Sequence, residues 1–261
     1  MTSRKKIGLA LSGGAARGFA HLGVLKVLEE HGIPIDFVSG TSAGSFAGAA
    51  FACRTPVAEI IEMSRKITWF RMSGFSYSPK GLLSSSSMGD FIRRHFPVQN
   101  IEDLPIPYAA VACDLETGEE VILKDSGDIA TAVRASCAIP GVFVPIETGG
   151  RKLIDGGVIA PVPTKAVRKL GAEIVIAVDV IACGATYWGT PSTLLGVLFQ
   201  SAMMLLRAAS KAHHYRADIV IIPQIAHLRP DEISKMDDFI KAGEEAAREK
   251  IDEIKKLIYG T

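Results

Sequence analysis

Short apolar runs rich in valine and isoleucine alternate with segments of helical periodicity along most of the sequence. Runs of about four to eight such residues have the length of buried strands, and strands that alternate with helices predict a mainly parallel sheet with helices on its faces. We predict strands at 6–11, 35–39, 108–113, 120–123, 152–154, 174–180 and 219–222. We predict helices at 15–30, 42–53, 129–136, 164–170, roughly 192–214 and 231–258. The pattern therefore favours an α/β fold.

The size and composition of the chain suit a single domain over residues 1–261. Apolar residues make up 48% of the chain and charged residues 22%, which is enough apolar surface for a full core. The formal net charge of +1 gives no basic surface for nucleic acid, so we expect no nucleic-acid partner. The four cysteines are scattered without the spacing of a metal site, so we interpret them as buried thiols in a reducing compartment.

Two apolar segments could be mistaken for a signal peptide and a membrane span. The segment 7–11 follows three basic residues, but it is shorter than the roughly 7–15 apolar residues of a signal peptide. The segment 194–206 is interrupted by Gln200 and Ser201, and it is shorter than the roughly 20 residues that cross a bilayer. We therefore expect a cytoplasmic protein that contacts membranes only at their surface.

The sequence Gly-Thr-Ser-Ala-Gly at 40–44 fits the G-x-S-x-G pattern of a serine nucleophile. It follows a predicted strand and opens a helix of small residues, which is the context that such a nucleophile requires. Gly40 and Gly44 avoid collisions across a sharp strand-to-helix turn, and the N-terminus of the helix favours developing negative charge. We predict that Ser42 is the nucleophile of an acyl-transfer reaction; the alternative is a purely structural turn.

A second glycine-rich turn, at 12–18, joins the first predicted strand to the first helix. One interpretation is a dinucleotide-binding turn with the fingerprint G-x-G-x-x-G. If Gly13 is its first glycine and Gly18 its last, the middle position is Ala15, so the fingerprint fails. The acidic residue expected about 20 positions later would be Asp36, which precedes its strand instead of ending it. Nucleotide binding is therefore disfavoured.

The same turn fits an oxyanion hole better. The backbone N–H groups of Gly13, Gly14 and Ala15 would face the carbonyl oxygen of an ester under attack. Arg17 has two roles open to it: it steers an anionic substrate, or it holds the turn through hydrogen bonds to carbonyl groups.

The tripeptide Asp155-Gly156-Gly157 is by itself only a turn signal. Together with the two earlier motifs, it makes the chain resemble the patatin-like phospholipase family from about residue 7 to 163. The segment Ala-Ser-Cys-Ala-Ile-Pro at 135–140 is also similar to the family's segment before its catalytic aspartate. The one departure is Ala15, where the family usually has a third glycine, and an alanine leaves the backbone donor intact.

The resemblance implies a patatin-like fold, a three-layer α/β/α sandwich around a mainly parallel sheet. It also implies a Ser–Asp dyad of Ser42 and Asp155, supported by Gly156 and Gly157, that hydrolyses acyl esters of lipids without a metal or other cofactor. An unactivated serine is a weak nucleophile and needs a base within hydrogen-bonding reach. We expect partial burial to raise the pKa of Asp155 and so to make it a competent base.

Two alternatives remain open for the function. One is a Ser-His-Asp triad, in which the histidine follows the acid in the chain; His213, His214 and His227 are the candidates. The other is a non-catalytic module of the same fold that binds lipid or a protein partner. The motifs also leave open whether the substrate is a phospholipid, a lysophospholipid, a neutral ester or a thioester, and whether the chain forms homo-oligomers.

Two segments outside the motifs carry predictions of their own. Residues 72–88 are rich in glycine and serine, so we predict a loop that covers the acyl pocket as a lid. Residues 231–258 have apolar side chains at spacings of three and four, apart from a gap at Gly243. We predict an amphipathic helix, bent or broken near Gly243, that packs on the sheet of the motif-bearing core; the alternatives are dimerisation and contact with a lipid surface.

Overall fold

The computed structural model of the chain describes residues 4–68, 72–75, 81–184 and 190–260. Its strands are β1 (Ile7–Leu11), β2 (Phe37–Thr41), β3 (Gly74–Phe75), β4 (Leu83–Ser84), β5 (Tyr108–Asp114), β6 (Glu120–Leu123), β7 (Ile146–Thr148), β8 (Arg151–Asp155), β9 (Ile174–Val178) and β10 (Ile219–Ile221). In this part of the chain, eight strands form one mixed sheet in the order β10-β9-β1-β2-β5-β8-β7, with β6 paired to β5. Helices cover both faces of the sheet, so the predicted α/β fold is confirmed.

The helices of the described residues are α1 (Phe19–Glu30), α2 (Ala43–Ala52), α3 (Val57–Ser64), α4 (Ser86–His95), α5 (Ile129–Ser136), α6 (Thr164–Leu170), α7 (Leu194–His213), α8 (Met236–Arg248) and α9 (Ile251–Tyr259). The predicted bounds of α5, α6 and β6 are those observed. A 3₁₀ turn at Ala15–Gly18 precedes α1, so the helix predicted at 15–30 begins in a tighter form. None of the described helices is both long and apolar enough to cross a membrane.

Five neighbouring strands, from β10 through β9, β1 and β2 to β5, run parallel to one another. Their carboxyl ends therefore lie at the same edge of the sheet. The glycine-rich turn follows β1 at this edge, and Ser42 follows β2 there. Parallel pairing thus brings Ser42 and the glycine-rich turn at 12–18 together, although they are 24 residues or more apart in the chain.

The strand β8 is antiparallel to β5 and lies on the same edge of β5 as β2. Ala110 and Val111 pair with both β2 and β6, and Ala112 and Cys113 pair with both β8 and β6, so β6 must occupy the opposite edge. Thr41, the last residue of β2, pairs with Val111, and Asp155, the last residue of β8, pairs with the adjacent Ala112. The two strands run toward each other and end at adjacent positions of β5. The pairing of the strands therefore brings Ser42 and Asp155 together.

Helices pack more closely against one face of the sheet than against the other. Side chains alternate between the faces along a strand, so Leu9 and Leu11 point to one face and Ala10 to the other. The first face carries the main core with α1 and α2. On the second face, α6 comes so close that a Cβ atom at Gly8 would lie 2.5 Å from Val167 Cγ2. Small residues on that face are therefore a packing requirement.

The C-terminal segment forms α8 and α9 and packs on α1 instead of directly on the sheet. The sequence predicts a bend or break near Gly243, but this glycine is instead a point of contact with α1. A Cβ atom there would lie 2.0 Å from the carbonyl oxygen of Ala20, and one at Gly23 would lie 1.9 Å from that of Ile240. The two helices therefore cross backbone to backbone at paired glycines, and the helical segment is interrupted later, at 249–250.

The segment predicted as a loop at 72–88 is only partly irregular. Strands β3 and β4 pair as a short antiparallel ladder, and α4 begins at Ser86 within the serine run. The loop prediction is therefore wrong for 86–88, which are the first three residues of α4. Residues 76–80, the middle of the predicted lid, lie outside the described residues.

Candidate active site

Ser42 occupies a strained turn between β2 and α2, with φ 52° and ψ −125°. Such a conformation costs a non-glycine residue about 1–3 kcal/mol, and it is characteristic of functional sites. Its glycine neighbours have no room for a side chain. A Cβ atom at Gly40 would lie 2.3 Å from the carbonyl oxygen of Gly44, and one at Gly44 would lie 2.3 Å from that of Leu11. The turn therefore requires both glycines, as the motif predicts.

Asp155 lies beside Ser42 and is 6% exposed. Its Oδ1 accepts a 2.7 Å hydrogen bond from the N–H of Gly157, and the Ser42 side chain lies near enough to the carboxylate to influence its pKa. Burial raises the pKa of Asp155 to about 6, although Ser42 and the N–H of Gly157 oppose this change. A carboxylate with this pKa is a stronger base than one in water and is still ionised at neutral pH.

The backbone of Ser42 is held by two other serines. The N–H of Ser42 donates to Oγ of Ser136 (2.9 Å), and that hydroxyl donates to the carbonyl of Val111 (2.6 Å). Oγ of Ser45 donates to the carbonyl of Ser42 (2.7 Å). Sequence reasoning did not single out Ser136, although it lies in the 135–140 segment that carries the resemblance. Its hydroxyl holds the candidate nucleophile Ser42 through the backbone N–H.

The glycine-rich turn lies directly against the nucleophile, since a Cβ atom at Gly13 would be 3.3 Å from Cβ of Ser42. The N–H of Gly13, predicted to face the ester carbonyl oxygen, donates instead to the carbonyl of Pro161 (3.0 Å). Among the hydrogen bonds of the described residues, the N–H groups of Gly14 and Ala15 have no acceptor. The turn therefore offers two backbone donors instead of three.

Ala15 adopts the left-handed region with φ 51°, and Gly14 has φ 152°. An L-residue with a Cβ pays a steric penalty of about 1–2 kcal/mol in the left-handed region, whereas glycine does not. The turn at Ala15 thus has a conformation that favours the third glycine of the family pattern. Alanine keeps the donor here at a cost in conformational strain.

Arg17 holds the glycine-rich turn. Its side chain is 2% exposed, and its Nε and Nη2 donate to the carbonyl of Leu228 at 3.3 and 3.1 Å. The neighbouring N–H of Ala16 donates to the carbonyl of Pro230 (2.9 Å). A Cβ atom at Gly18 would lie 2.5 Å from Cβ of Ala43, so the turn also packs tightly on α2. Of the two roles considered for Arg17, the structure supports the positioning role.

A cavity of about 120 Å³ opens at Ser42. Its walls are almost entirely apolar and come from α1, α2 and the segment after α5, including Phe19, Phe46 and Phe143. Met72 and Met88, the two ends of the predicted lid segment, also line it. An apolar cavity that ends at a nucleophile is suited to the hydrocarbon part of an ester.

The three histidines considered for a triad lie elsewhere. His214 Nε2 is 2.7 Å from Oδ2 of the buried Asp179, at the end of β9. His213 lies against the 159–162 segment, where burial lowers its pKa, and His227 is exposed. No hydrogen bond of the described residues joins any of them to Ser42 or Asp155.

Cys137 is the cysteine nearest to the chemistry, because it lines the cavity with Ser42. Burial raises its pKa to about 12, so it remains a neutral thiol and a poor nucleophile. Within the described residues, no group of three histidine, cysteine, aspartate or glutamate side chains has the arrangement of a metal site.

Comparison with known proteins agrees with this geometry. A family model described as patatin-like phospholipase matches residues 9–168. An uncharacterised NTE family protein of Mycobacterium tuberculosis is 38% identical over 181 residues, which are 68% of this chain and 50% of that protein. The lysophospholipase NTE1 of Debaryomyces hansenii is 34% identical over 184 residues, which are 68% of this chain and 12% of that protein.

Patatin-like phospholipase domain-containing protein 6 of Homo sapiens is 37% identical over 184 residues, covering 67% of this chain and 13% of that protein. The chain therefore spans about half the length of the mycobacterial relative, at 50%, and a smaller share of the others. Among solved structures, VipD from Legionella pneumophila has a TM-score of 0.60 at 15% identity, over 96% of this chain and 67% of that one. At this identity, the likeness shows a shared fold.

Proposed function

Since the chain belongs to the patatin-like phospholipase family, we propose that it is a serine hydrolase that cleaves the carboxyl esters of lipids, in the manner of a phospholipase A or a lysophospholipase. The observation that carries this proposal is the buried Asp155 carboxyl group beside Ser42, placed there by adjacent strand pairings and with its pKa raised to about 6. A serine with a base in direct contact is equipped for nucleophilic attack.

In the proposed reaction, Oγ of Ser42 attacks the ester carbonyl while the Asp155 carboxylate takes the hydroxyl proton. Negative charge develops on the carbonyl oxygen, and the N–H groups of Gly14 and Ala15 stabilise it. The tetrahedral intermediate collapses, the alcohol leaves with the proton from Asp155, and an acyl group remains on Ser42. Asp155 then takes a proton from a water molecule that attacks the acyl carbonyl, and it returns this proton to Oγ of Ser42 as the fatty acid leaves, which restores the serine.

The fixed backbone of Ser42 supports this mechanism. Its N–H and carbonyl are each held by a serine hydroxyl, at 2.9 and 2.7 Å, so the strained turn keeps one orientation. A positioned nucleophile avoids reorganisation during the reaction, which is a major source of rate acceleration. The dyad itself needs no third side chain and no cofactor.

The cavity supports a substrate with a hydrocarbon chain. At about 120 Å³, it is slightly smaller than a cavity of roughly 150 Å³ that accepts a benzene ring. It therefore holds only the part of an acyl chain next to the carbonyl unless its walls separate. Met72 and Met88 border the segment that we propose to move, which is the lid predicted from the sequence.

A labelling experiment tests the proposal. We expect a fluorophosphonate probe to label the wild-type chain and the Ser126→Ala control, in which an exposed loop serine is removed, but not Ser42→Ala. We also expect Ser42→Ala to lower the turnover of a p-nitrophenyl ester by about a thousandfold or more, with circular dichroism unchanged. A wild-type chain that neither reacts with the probe nor hydrolyses esters would instead be the non-catalytic binding module.

A further inference from the structure

The long helix α7 presents apolar side chains to solvent. Its outer face consists of residues spaced three and four apart along the helix: Leu194, Val197, Leu198, Ser201, Met204, Leu205 and Ala208. Leu194 is 75% exposed and Leu205 is 72% exposed. A helix on a protein surface normally turns its apolar stripe inward and its polar side chains outward. This outer face has the reverse arrangement, and a contiguous apolar surface of this kind marks an interaction site.

The charged residues of α7 and of the segments that flank it in the chain are all basic. The segment 190–217 contains Arg207, Lys211 and Arg216 and no aspartate or glutamate. Arg207 and Lys211 flank the apolar stripe along one side of the helix, and Tyr215, which is 94% exposed, follows its end. An apolar helix face with cationic side chains and an interfacial tyrosine has the chemistry of a helix that lies in an anionic lipid surface.

The helix is also packed against the turn that carries Asp155. Cδ1 of Leu206, on the inner side of α7, would lie 3.2 Å from a Cβ atom at Gly157. Beyond Gly157, the side chains of Val158 and Ile159 are themselves exposed, although both are large and apolar. The helix therefore lies beside the turn that carries Asp155, and we call the exposed Val158 and Ile159 the rim of this turn.

We propose that α7 is an interfacial helix whose outer face inserts into the surface of a bilayer with anionic headgroups, so that the rim at Val158 and Ile159 meets the lipid. The purpose of this lipid contact rests on the proposed function, but the contact itself does not depend on catalysis. A second copy is a poorer occupant, because two outer faces in contact would bring their flanking cations together without acidic partners from the same helices.

Vesicle binding by the Ser42→Ala variant tests this proposal without any contribution from hydrolysis. We expect the variant to co-sediment with vesicles of phosphatidylcholine and phosphatidylglycerol, and to bind at least tenfold more weakly to phosphatidylcholine alone or in high salt. Adding Leu205→Glu should weaken the binding at least tenfold, because it removes an inserted side chain and adds negative charge. Adding Leu257→Glu, at an exposed leucine of α9, is the matched control and should leave binding within twofold.

Three results would overturn the proposal. The first is an absence of vesicle binding at low salt, and the second is an equal loss of binding with Leu205→Glu and Leu257→Glu. The third is a dimer in sedimentation velocity that Leu205→Glu converts into a monomer, which would assign the face to a second copy. Thermal unfolding of each variant confirms that it is folded. If the wild-type chain hydrolyses no ester but its Ser42→Ala variant still binds vesicles, the proposed function fails and the proposal for α7 stands.

Discussion

Ser42 and Asp155 lie at the facing ends of two strands that share one edge of β5. One strand arrives parallel to β5 and the other antiparallel, and their last residues pair with neighbouring positions, Val111 and Ala112. The distance between nucleophile and base is thus fixed by the register of the sheet and not by the flexible side chain of a third residue. This arrangement explains how the two proposed catalytic residues, more than 100 positions apart in the chain, come to lie side by side.

Replacing Ser42 with glycine or alanine should separate catalysis from backbone strain. Both variants lose the nucleophile, so we expect both to be inactive. Alanine keeps the strain at φ 52°, whereas glycine relieves it. We therefore expect Ser42→Gly to be more stable than Ser42→Ala by about 1 kcal/mol, since the relief of strain exceeds the entropic cost of a glycine. Urea unfolding of the two variants measures the difference, and equal stabilities would mean that the turn is not strained.

Activity should depend on the ionisation of Asp155. Its pKa of about 6 predicts that kcat/KM for a p-nitrophenyl ester falls tenfold per pH unit below about pH 6, as the base becomes protonated. Asp155→Asn should lower turnover by about four orders of magnitude or more, since loss of a triad aspartate has that effect even though it acts only indirectly. A profile that is flat down to pH 4 would contradict the assignment of Asp155 as the base.

The same carboxylate should make the protein less stable at higher pH. Its pKa is higher in the folded chain, at about 6, than its ordinary value of 3.8, so its contribution to stability is present below about pH 4 and is lost as the pH rises through 6. The full difference corresponds to at most about 3 kcal/mol. Asp155→Asn removes this dependence, so we expect it to be more stable than wild type at pH 8 but not at pH 4.

The wild-type chain must be compared with Asp155→Asn because other groups also titrate between pH 4 and pH 8. The buried His21 has its pKa lowered to about 4, so protonating it destabilises the fold as the pH falls, which is opposite in sign to the effect of Asp155. His21 is present in both proteins, and its contribution cancels in their difference. Urea unfolding at pH 4, 6 and 8 gives that difference directly, and a difference that does not grow with pH would refute the prediction.

Alanine substitution of the three histidines distinguishes a dyad from a triad. In a dyad, His213→Ala, His214→Ala and His227→Ala should each change turnover by no more than roughly a few-fold, because none of them handles the proton. In a triad, the turnover of one of these variants should fall by several orders of magnitude, because removing any member of a catalytic unit disables the whole unit. His214→Ala should also lower the melting temperature, because it leaves the buried Asp179 without its 2.7 Å partner. One folded but inactive histidine variant would refute the dyad.

Two glycines of α2 offer a matched pair of substitutions. Gly44→Ala would place a Cβ atom 2.3 Å from the carbonyl oxygen of Leu11, which the backbone cannot avoid without moving the turn. Gly48→Ala would place it 2.9 Å from Cγ1 of Val38, a side-chain atom that can shift. Alanine otherwise favours a helix by about 1 kcal/mol. We expect Gly44→Ala to lose activity and several kcal/mol of stability, and Gly48→Ala to stay within about 1 kcal/mol of wild type; equal effects would contradict this account.

The elements that carry the motifs were predictable from the sequence because strand and helix patterns meet there at glycine-rich turns. The predicted strands at 6–11 and 108–113 and the helix at 164–170 differ from the observed bounds by no more than a residue or two. The direct contact of Ser42 with a carboxylate was expected from the family resemblance. The reason why the family usually has a glycine at the position of Ala15 could not be predicted, because the left-handed conformation of this residue does not follow from its residue type.

The errors arose where distant parts of the chain determine a residue's role. The N–H of Gly13 was assigned to the oxyanion hole, but it is taken by Pro161, 148 positions away. Gly243 resembled a helix breaker because a glycine weakens an isolated helix, whereas contact with α1 requires it there. Ser136 had no motif of its own, and its importance follows only from the hydrogen bond to Ser42.

The glycine-rich turn rests on the carbonyl groups of Leu228 and Pro230, which lie outside the segment shared with the family model, 9–168. Every amino acid has a backbone carbonyl, so this support places little demand on side-chain identity at those two positions. The residue types of the supporting loop at 228–230 can therefore change while the glycine-rich turn keeps its position. A protein fragment cut at the limits of sequence similarity would, for the same reason, retain every motif and lose part of what holds one of them.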